Sequence, residues 1–352
     1  MTKAAELAKM GEVLTNSQLG GRRNMVINGA MQVAQRGTSI AVSSTLVYTL
    51  DRFACENDTT TMTATQASDA PTDFEYSLKL TNGTGVTPTG SNINRIRYAL
   101  EGYDTNHLEI GTANAKKVTL SFHVKSSITG NYVVSFLDSG NDNGYVAGYT
   151  INSANTWEKK TITLTMSDYS SWVGSSTNSI NLILHWDLGS GPDRDVSTLN
   201  VWNDGAANDF SHSSQVDWVG TTGSTFYLTG VQLEVGSQAT PFEHRSFGEE
   251  ADLCHRYFQI ASVGYYAANA SGTTKLGVGI PLSKPLRATP SSISGISVHR
   301  SGNQSASVTF DNMTLSSSNS VLYVRFNGFS SLTDETPQTV YLNANMLLDS
   351  EL

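Results

Sequence analysis

Val118-Thr119-Leu120-Ser121-Phe122-His123-Val124 decides the fold. Successive side chains of an extended chain point to opposite faces. The alternation therefore puts Val118, Leu120, Phe122 and Val124 on one face and Thr119, Ser121 and His123 on the other. Two stretches repeat it: Ile162, Leu164 and Met166 alternate with Thr161, Thr163 and Thr165, and Ile180, Leu182, Leu184 and Trp186 with Asn181, Ile183 and His185. Each predicts a strand with one buried face. Gly, Asn and Ser at 130–131, 139–141 and 152–155 supply turns between them. From 24 to about 243 such strands follow one another without regular helices. The fold class expected is mainly β: an antiparallel β-sandwich of jelly-roll type.

Composition agrees. Ser (44), Thr (39), Asn (26) and Gly (30) make up 139 of 352 residues and only 15% are charged, which excludes a long coiled coil. A hydrophobic share of 38% excludes a disordered chain. The length allows two or three domains of about 100–200 residues. A net charge of −9 offers no footprint for nucleic acid or an anionic membrane, and the Arg22-Arg23 pair does not reverse it. No apolar run approaches the length of a membrane span, so no membrane insertion is expected. The first residues mix Lys, Ala and Glu and read as no secretory signal. Cys55 and Cys254 read as two separate small buried side chains, with a disulfide as the alternative.

Four segments follow. Residues 1–22 are an N-terminal helical attachment segment, with Leu7, Met10, Val13 and Leu14 as the candidates for contact with a partner. So short a helix is marginal alone and needs a partner, either the body of the protein or copies of itself. Residues 23–245 are the sandwich. Residues 246–258 read as a helical connector: Ser246 and Glu249 have capping-box spacing, and Leu253 and Tyr257 share a face. Residues 259–352 read as a second small β domain, with Val308 and Phe310, then Val321, Tyr323 and, out of phase, Phe326, then Val340 and Leu342. The segment with Pro281, Pro285 and Pro290 is a loop.

The seven histidines show neither HxH nor HExxH spacing, and no nucleophile elbow or phosphate loop occurs. Asp187, Asp193 and Asp195 cluster about a Gly-Ser-Gly-Pro turn. Paired carboxylates hydrolyse glycosidic bonds only at a held separation, and polar turn residues are the plainer explanation. Asp138–Gly144 resembles a calcium loop, but its third position is Gly140 and its twelfth is Tyr149. It reads as a hairpin turn, with a structural calcium ion as the alternative; no cofactor is expected. All five tryptophans fall within residues 157–218. Flat rings beside polar groups are how proteins hold the apolar faces of sugars. Trp186 continues a buried alternation and reads as core. The glycan-binding candidates are Trp157, Trp172, Trp202 and Trp218, with Trp172 and Trp202 expected to be exposed among small polar neighbours.

Several stretches carry a likeness: residues 23–37 (RNMVINGAMQVAQRG), 48–53 (YTLDRF) and 229–245 (TGVQLEVGSQATPFEHR), then Glu249-Glu250 and residues 254–258 (CHRYF). Residues 285–290 (PLRATP) and 349–352 (DSEL) extend it. Together they resemble the carbohydrate-binding-module-like jelly roll of tailed-bacteriophage virion proteins of the tail-fibre type, over roughly residues 23–352. The resemblance implies a non-enzymatic virion component, a homotrimer, made in the host cytoplasm and carried on the exterior of the particle. Its partners would be other phage virion proteins, through the N-terminal segment, and host cell-surface polysaccharide. It transfers no catalytic residue. In the same stretches, Asn28-Gly29 reads as a turn and Asp51 and Arg52 as an ion pair. Residues 231–235 read as lying beside the first segment, with Thr240-Pro241-Phe242 pinning the exit. Leu50, Phe53 and His255 depart from the pattern. Two alternatives stand beside a receptor-binding fibre: a capsid-decoration, head-fibre or baseplate protein, and a polysaccharide depolymerase using Asp187, Asp193 and Asp195.

Overall fold

The alternating stretches form strands of two antiparallel sheets. In the computed structural model, residues 3, 22–141, 143–204, 209–261, 264–271, 274–290, 292–294, 298–300, 309–328, 337–342 and 346–352 are described. The expected N-terminal helix, with Leu7, Met10, Val13 and Leu14, lies outside them. The chain divides into two compact units, one up to Glu250 together with Leu352, the other Ala251–Glu351.

In the first unit the strands are β1 (Ser39–Val42), β2 (Val47–Tyr48), β3 (Phe53–Asn57), β4 (Met62–Ala67), β5 (Ser77–Asn82), β6 (Asn94–Glu101), β7 (Lys117–Ser126), β8 (Gly130–Leu137), β9 (Asn143–Ile151), β10 (Glu158–Thr165), β11 (Ile180–Asp187), β12 (Trp202–Asp204) and β13 (Thr225–Val235). A one-turn helix, α1 (Gly102–Thr105), follows β6. Sheet I has the order β1-β4-β5-β13-β7-β10 and sheet II the order β12-β9-β8-β11-β6-β3-β2. From β5 to β8 the chain changes sheet at every step, and β9, β10 and β11 change sheet again, the crossover habit of a jelly roll.

Val118, Leu120, Phe122 and Val124 are fully buried on the inner face of β7, in one core with Leu182, Leu184 and Trp186 of β11. Phe122 meets Trp186 edge to face at 5.8 Å. Burying each such side chain contributes roughly 1.5–3 kcal/mol. The expectation of a single buried face fails for β7, where Thr119 and Ser121 are buried too, and for β11, where Ile183 and His185 are buried as well. Val196 and Phe210, from the chain after β11, pack over the outer side of sheet II, with Phe210 against the His185 ring at 5.2 Å. Alternation could not show this, because the covering segment carries no strand pattern of its own. Cys55 and Cys254 are both buried and form no disulfide.

Helix α2 (Phe247–Cys254) starts as its spacing suggests, with the Glu249 N–H donating to Ser246 Oγ at 3.3 Å. It stops earlier than expected, because Phe258 opens a strand. None of the helices among the described residues is long and apolar enough to cross a membrane.

The second unit has β14 (Phe258–Ala261), β15 (Gly264–Ser271), β16 (Lys275–Pro281), β17 (Ser292–Ser294), β18 (Val298–Arg300), β19 (Thr309–Leu315), β20 (Val321–Asn327), β21 (Pro337–Leu342) and β22 (Met346–Asp349). Sheet III runs β14-β22-β17 and sheet IV runs β18-β21-β15-β16-β20-β19. The phase read for β20 is reversed. Leu322, Val324 and Phe326 are buried with Leu276, Val278 and Ile280, and Tyr323 faces out, 55% exposed. Apolar side chains occupy both phases of β20, so only its pairing with β16 selects one. Val308 lies outside the described residues.

Candidate functional site

Three of the stretches that carry the likeness, 23–37, 48–53 and 229–245, meet in one buried clasp. Asn24 Nδ2 donates to the Val231 carbonyl at 3.1 Å, and Asn24 Oδ1 accepts the Leu233 N–H at 3.1 Å. Asn28, at φ 59°, holds the turn that follows: its Oδ1 accepts the Val33 N–H and its Nδ2 donates to the carbonyls of Val33 and Asp51, all at 2.9 Å. A Cβ on Gly29 would stand 2.2 Å from the Val231 carbonyl oxygen, so only glycine fits there. Residues 231–233 do run beside residues 25–29, joined by Val231 N–H to Gly29 and Met25 N–H to Leu233. Glu243 accepts the N–H groups of Arg23 and Asn24, and Arg245 donates to the carbonyls of Val26 and Asn24.

Asp51 and Arg52 are buried but do not pair with each other. Asp51 accepts the N–H and Nε2 of Gln35, and Arg52 Nη2 donates to the Ala99 carbonyl at 2.6 Å. Thr240 closes onto Glu234, and Phe242 packs against Phe74 at 5.0 Å. These polar groups bond to one another, so the likeness lies in scaffold residues.

Asp187 is fully buried, with its carboxylate accepting from Ser190 Oγ at 2.5 Å and Gln215 Nε2 at 2.5 Å. Burial pushes its carboxyl up from the ordinary range against these bonds. Asp193 sits exposed in the turn and Asp195 is half-buried. Asp138 and Asn143 close the hairpin between β8 and β9, with the Asp138 carboxylate accepting from Asn143 Nδ2 at 2.7 Å and from the Val173 N–H at 3.1 Å.

The tryptophans divide. Trp218 is fully buried, its Nε1 donating to the Thr225 carbonyl at 3.2 Å, and is closed to a ligand. Trp172 and Trp202, expected in the open, are half-buried and meet edge to face at 5.8 Å. Their indole N–H groups are used by Asn181 and by the Thr165 carbonyl, and Trp202 also packs on Tyr145 at 5.3 Å. They cover the edge of the core.

Trp157 stands apart, at the entry to β10 on the open face of sheet I. Register explains its neighbours: Lys79 of β5 lies opposite Tyr227 of β13, and Tyr227 opposite Lys125 of β7. Trp157 precedes the pair of Glu158 with Val124 and so continues the row. The result is a cross-strand line Lys79–Tyr227–Lys125–Trp157 in which cations alternate with rings. The Lys125 ammonium lies 4.2 Å from the Tyr227 ring centroid and 5.2 Å from that of Trp157, and Lys79 lies 5.6 Å from Tyr227. Such contacts are worth roughly 0.5–1 kcal/mol each at exposed sites.

Asp69 completes the group, accepting from Lys125 Nζ and from Trp157 Nε1 at 3.1 Å. The Lys125 ammonium holds its carboxyl below the usual carboxylate range, and the Trp157 N–H adds to this. Thr65 continues the row beyond Lys79, and Thr81, Thr161 and Thr163 lie farther along the same face. Sequence reasoning named Trp157 but missed Tyr227, Lys125, Lys79 and Asp69. Lys125 does continue the outward phase of Thr119, Ser121 and His123, but which strands adjoin β7 was not legible.

No protein-family model matches this chain, and no curated protein matches it. Solved structures similar to it include the enzymatically active domain of tailspike protein 4 of bacteriophage CBA120, at TM-score 0.30 and 14% identity over 60% of this chain and 21% of that one. TmCBM61 in complex with β-1,4-galactotriose matches at TM-score 0.30 and 8% identity, over 61% of this chain and all (100%) of that one. A family 11 carbohydrate-binding module from Clostridium thermocellum matches at TM-score 0.29 and 11% identity, over 55% and 96%. The chain spans about a fifth of that tailspike chain, and its β-sandwich stands on its own two sheets. None of these likenesses transfers a residue.

Proposed function

We propose that this chain is a non-enzymatic bacteriophage virion protein of the tail-fibre type, a homotrimer on the exterior of the particle, that contacts host-surface glycan. The N-terminal segment attaches it to a neighbouring virion protein. The observation that carries the glycan contact is the row Lys79–Tyr227–Lys125–Trp157 on the open face of sheet I. Two partly exposed rings present apolar faces beside ammonium, carboxylate and threonine hydroxyl groups, the mixture that a sugar, with its C–H face and hydroxyl rim, requires. Lys79 and Lys125 against Asp69 leave the group one positive charge, which favours a glycan bearing acidic substituents. The virion assignment is supported by the motifs that meet in the clasp.

Retention of the purified full chain by host bacteria and by their isolated surface polysaccharide tests the binding. Failure of the intact oligomer to bind either overturns it. A spacer role in the capsid or baseplate is favoured by one observation, that the motif residues are spent within the scaffold. Locating the protein on intact virions by electron microscopy separates a capsid position from a tail position, and the binding test separates a fibre from a baseplate spacer.

A further inference from the structure

The middle of sheet IV carries two glycines that its own fold does not require. Along β16, Leu276, Val278 and Ile280 are buried, while Gly277 and Gly279 share the opposite face. Neither has a positive φ. A Cβ on Gly277 would meet only the Asn269 carbonyl oxygen, at 3.8 Å, and one on Gly279 would touch the Tyr323 ring at 3.6 Å, an ordinary contact. Glycine inside a strand weakens it, and marks places where another molecule approaches the backbone.

Register supplies the walls. Asn269 of β15 stands opposite Gly277, and Arg325 and Tyr323 of β20 stand opposite Gly277 and Gly279. Asn312 and Thr314 of β19 continue those two rows. Between them lies a trough of about 380 Å³, floored by the glycines. It falls within the range of about 300–1,000 Å³ of ligand pockets. Among the described residues the side chains of Asn269, Asn312, Thr314 and Tyr323 have no hydrogen-bond partner. Arg325 is held through its Nε by Asp311, which also takes Lys275 Nζ at 3.0 Å, and its other N–H groups are unused among those residues.

An exposed ring beside amide, hydroxyl and guanidinium groups matches a pyranose better than other occupants. A sugar offers an apolar C–H face to the ring and hydroxyls that both donate and accept, and the two amides can do the same in return. An inorganic anion would use Arg325 but neither the ring nor the amide oxygens. We infer that this trough binds one pyranose unit of the host glycan, with Tyr323 stacked on its C–H face. The inference rests on the glycan reading above and adds a second site, in the second unit.

Saturation-transfer NMR on the full chain tests it, with the methyl pyranosides of glucose, galactose, mannose, N-acetylglucosamine and rhamnose as probes. The variants are Tyr323→Ala and Gly279→Val, the latter filling the trough with a residue that suits strands. Val86→Ala, at an exposed side chain that belongs to neither site, is the control, and Trp157→Ala reports on sheet I. Transfer to at least one glycoside is expected in the wild type, unchanged in Val86→Ala, and about tenfold weaker in affinity in both trough variants, a change of ~1.4 kcal/mol. No transfer in the wild type overturns the inference, as does equal transfer in the trough variants. If Gly279→Val alters the oligomeric state and leaves transfer intact, the trough is a contact between copies and the inference is wrong. Transfer lost only in Trp157→Ala removes the trough but keeps the glycan reading. Absence of binding to these glycosides and to host polysaccharide alike removes both.

Discussion

The outer faces of the two sandwich sheets carry similar kinds of residue and treat them oppositely. On sheet II, Arg95 pairs with Glu56 at 2.8 Å, its guanidinium lies over Phe210, and His185 and Asp187 are wholly buried, with Phe210 packed on the His185 ring. On sheet I, Lys79, Tyr227 and Trp157 are half-buried and Asp69 is exposed, with the Lys125 stem buried between the rings, and no segment among the described residues covers them in the same way. One set of charges and rings is spent on holding the fold. The other remains available to a ligand. Composition alone does not separate them; what separates them is whether a loop returns across the sheet.

The largest expected effect lies under the cover. Phe210→Ala removes the ring that seals Arg95 and His185, and should lower stability to urea by roughly 3–5 kcal/mol. Trp157→Ala, on the open face, should cost about 1 kcal/mol or less. Equal losses would erase the contrast. Gly29→Ala ranks next. Its new methyl meets the Val231 carbonyl oxygen at a distance no real Cβ occupies, and overpacking of this kind costs roughly 1–3 kcal/mol. An unchanged unfolding midpoint would show that the clasp yields.

A smaller effect is in pH. Burial, then the nearby Arg95 and Arg97 charges, push His185 well below 6.5. The unfolded chain therefore binds a proton there before the folded one does, so stability falls as pH drops below about 6.5. Stability measured from pH 7 down to about pH 5 should show this slope, and His185→Gln should flatten it more than His107→Gln, whose imidazole is lowered less. On sheet I the sign differs in origin. Burial alone would raise the Glu158 carboxyl, but hydrogen bonds from Lys160, Ser153 and Asn152 outweigh it and bring it to about 2. Its stabilisation is present above 4.5 and is lost as pH falls through about 2. A Glu158→Gln variant with an unaltered acid limb would contradict that assignment.

Much of the sandwich was legible because Val118–Val124 and residues 161–166 follow one period without interruption. The second covering of β11 was not, since residues 188–224 are turn-rich and only tertiary folding brings Phe210 to His185. The reversed phase of β20 has a similar cause: Val321, Leu322, Tyr323 and Val324 give apolar side chains in both phases, and pairing with β16 chooses. Trp218 shows the limit for the candidate site. By sequence it stands among the glycan-binding candidates, yet its ring completes the core beside Phe226 at 6.4 Å. Trp157 was visible as an aromatic beside charges, but its partners Tyr227 and Lys79 come from strands 70 or more positions away. Cross-strand rows are written by register, which no local pattern states.

The most direct measurement of the central claim is binding of the full chain to host surface polysaccharide, wild type against the Trp157→Ala/Tyr227→Ala double variant. Unfolding is followed on the same samples. The account predicts binding at least about tenfold weaker in the double variant, a loss of ~1.4 kcal/mol, with the oligomer and its cooperative unfolding retained. Undiminished binding by a folded double variant would contradict it, and would leave the open face of sheet I without the role assigned to it.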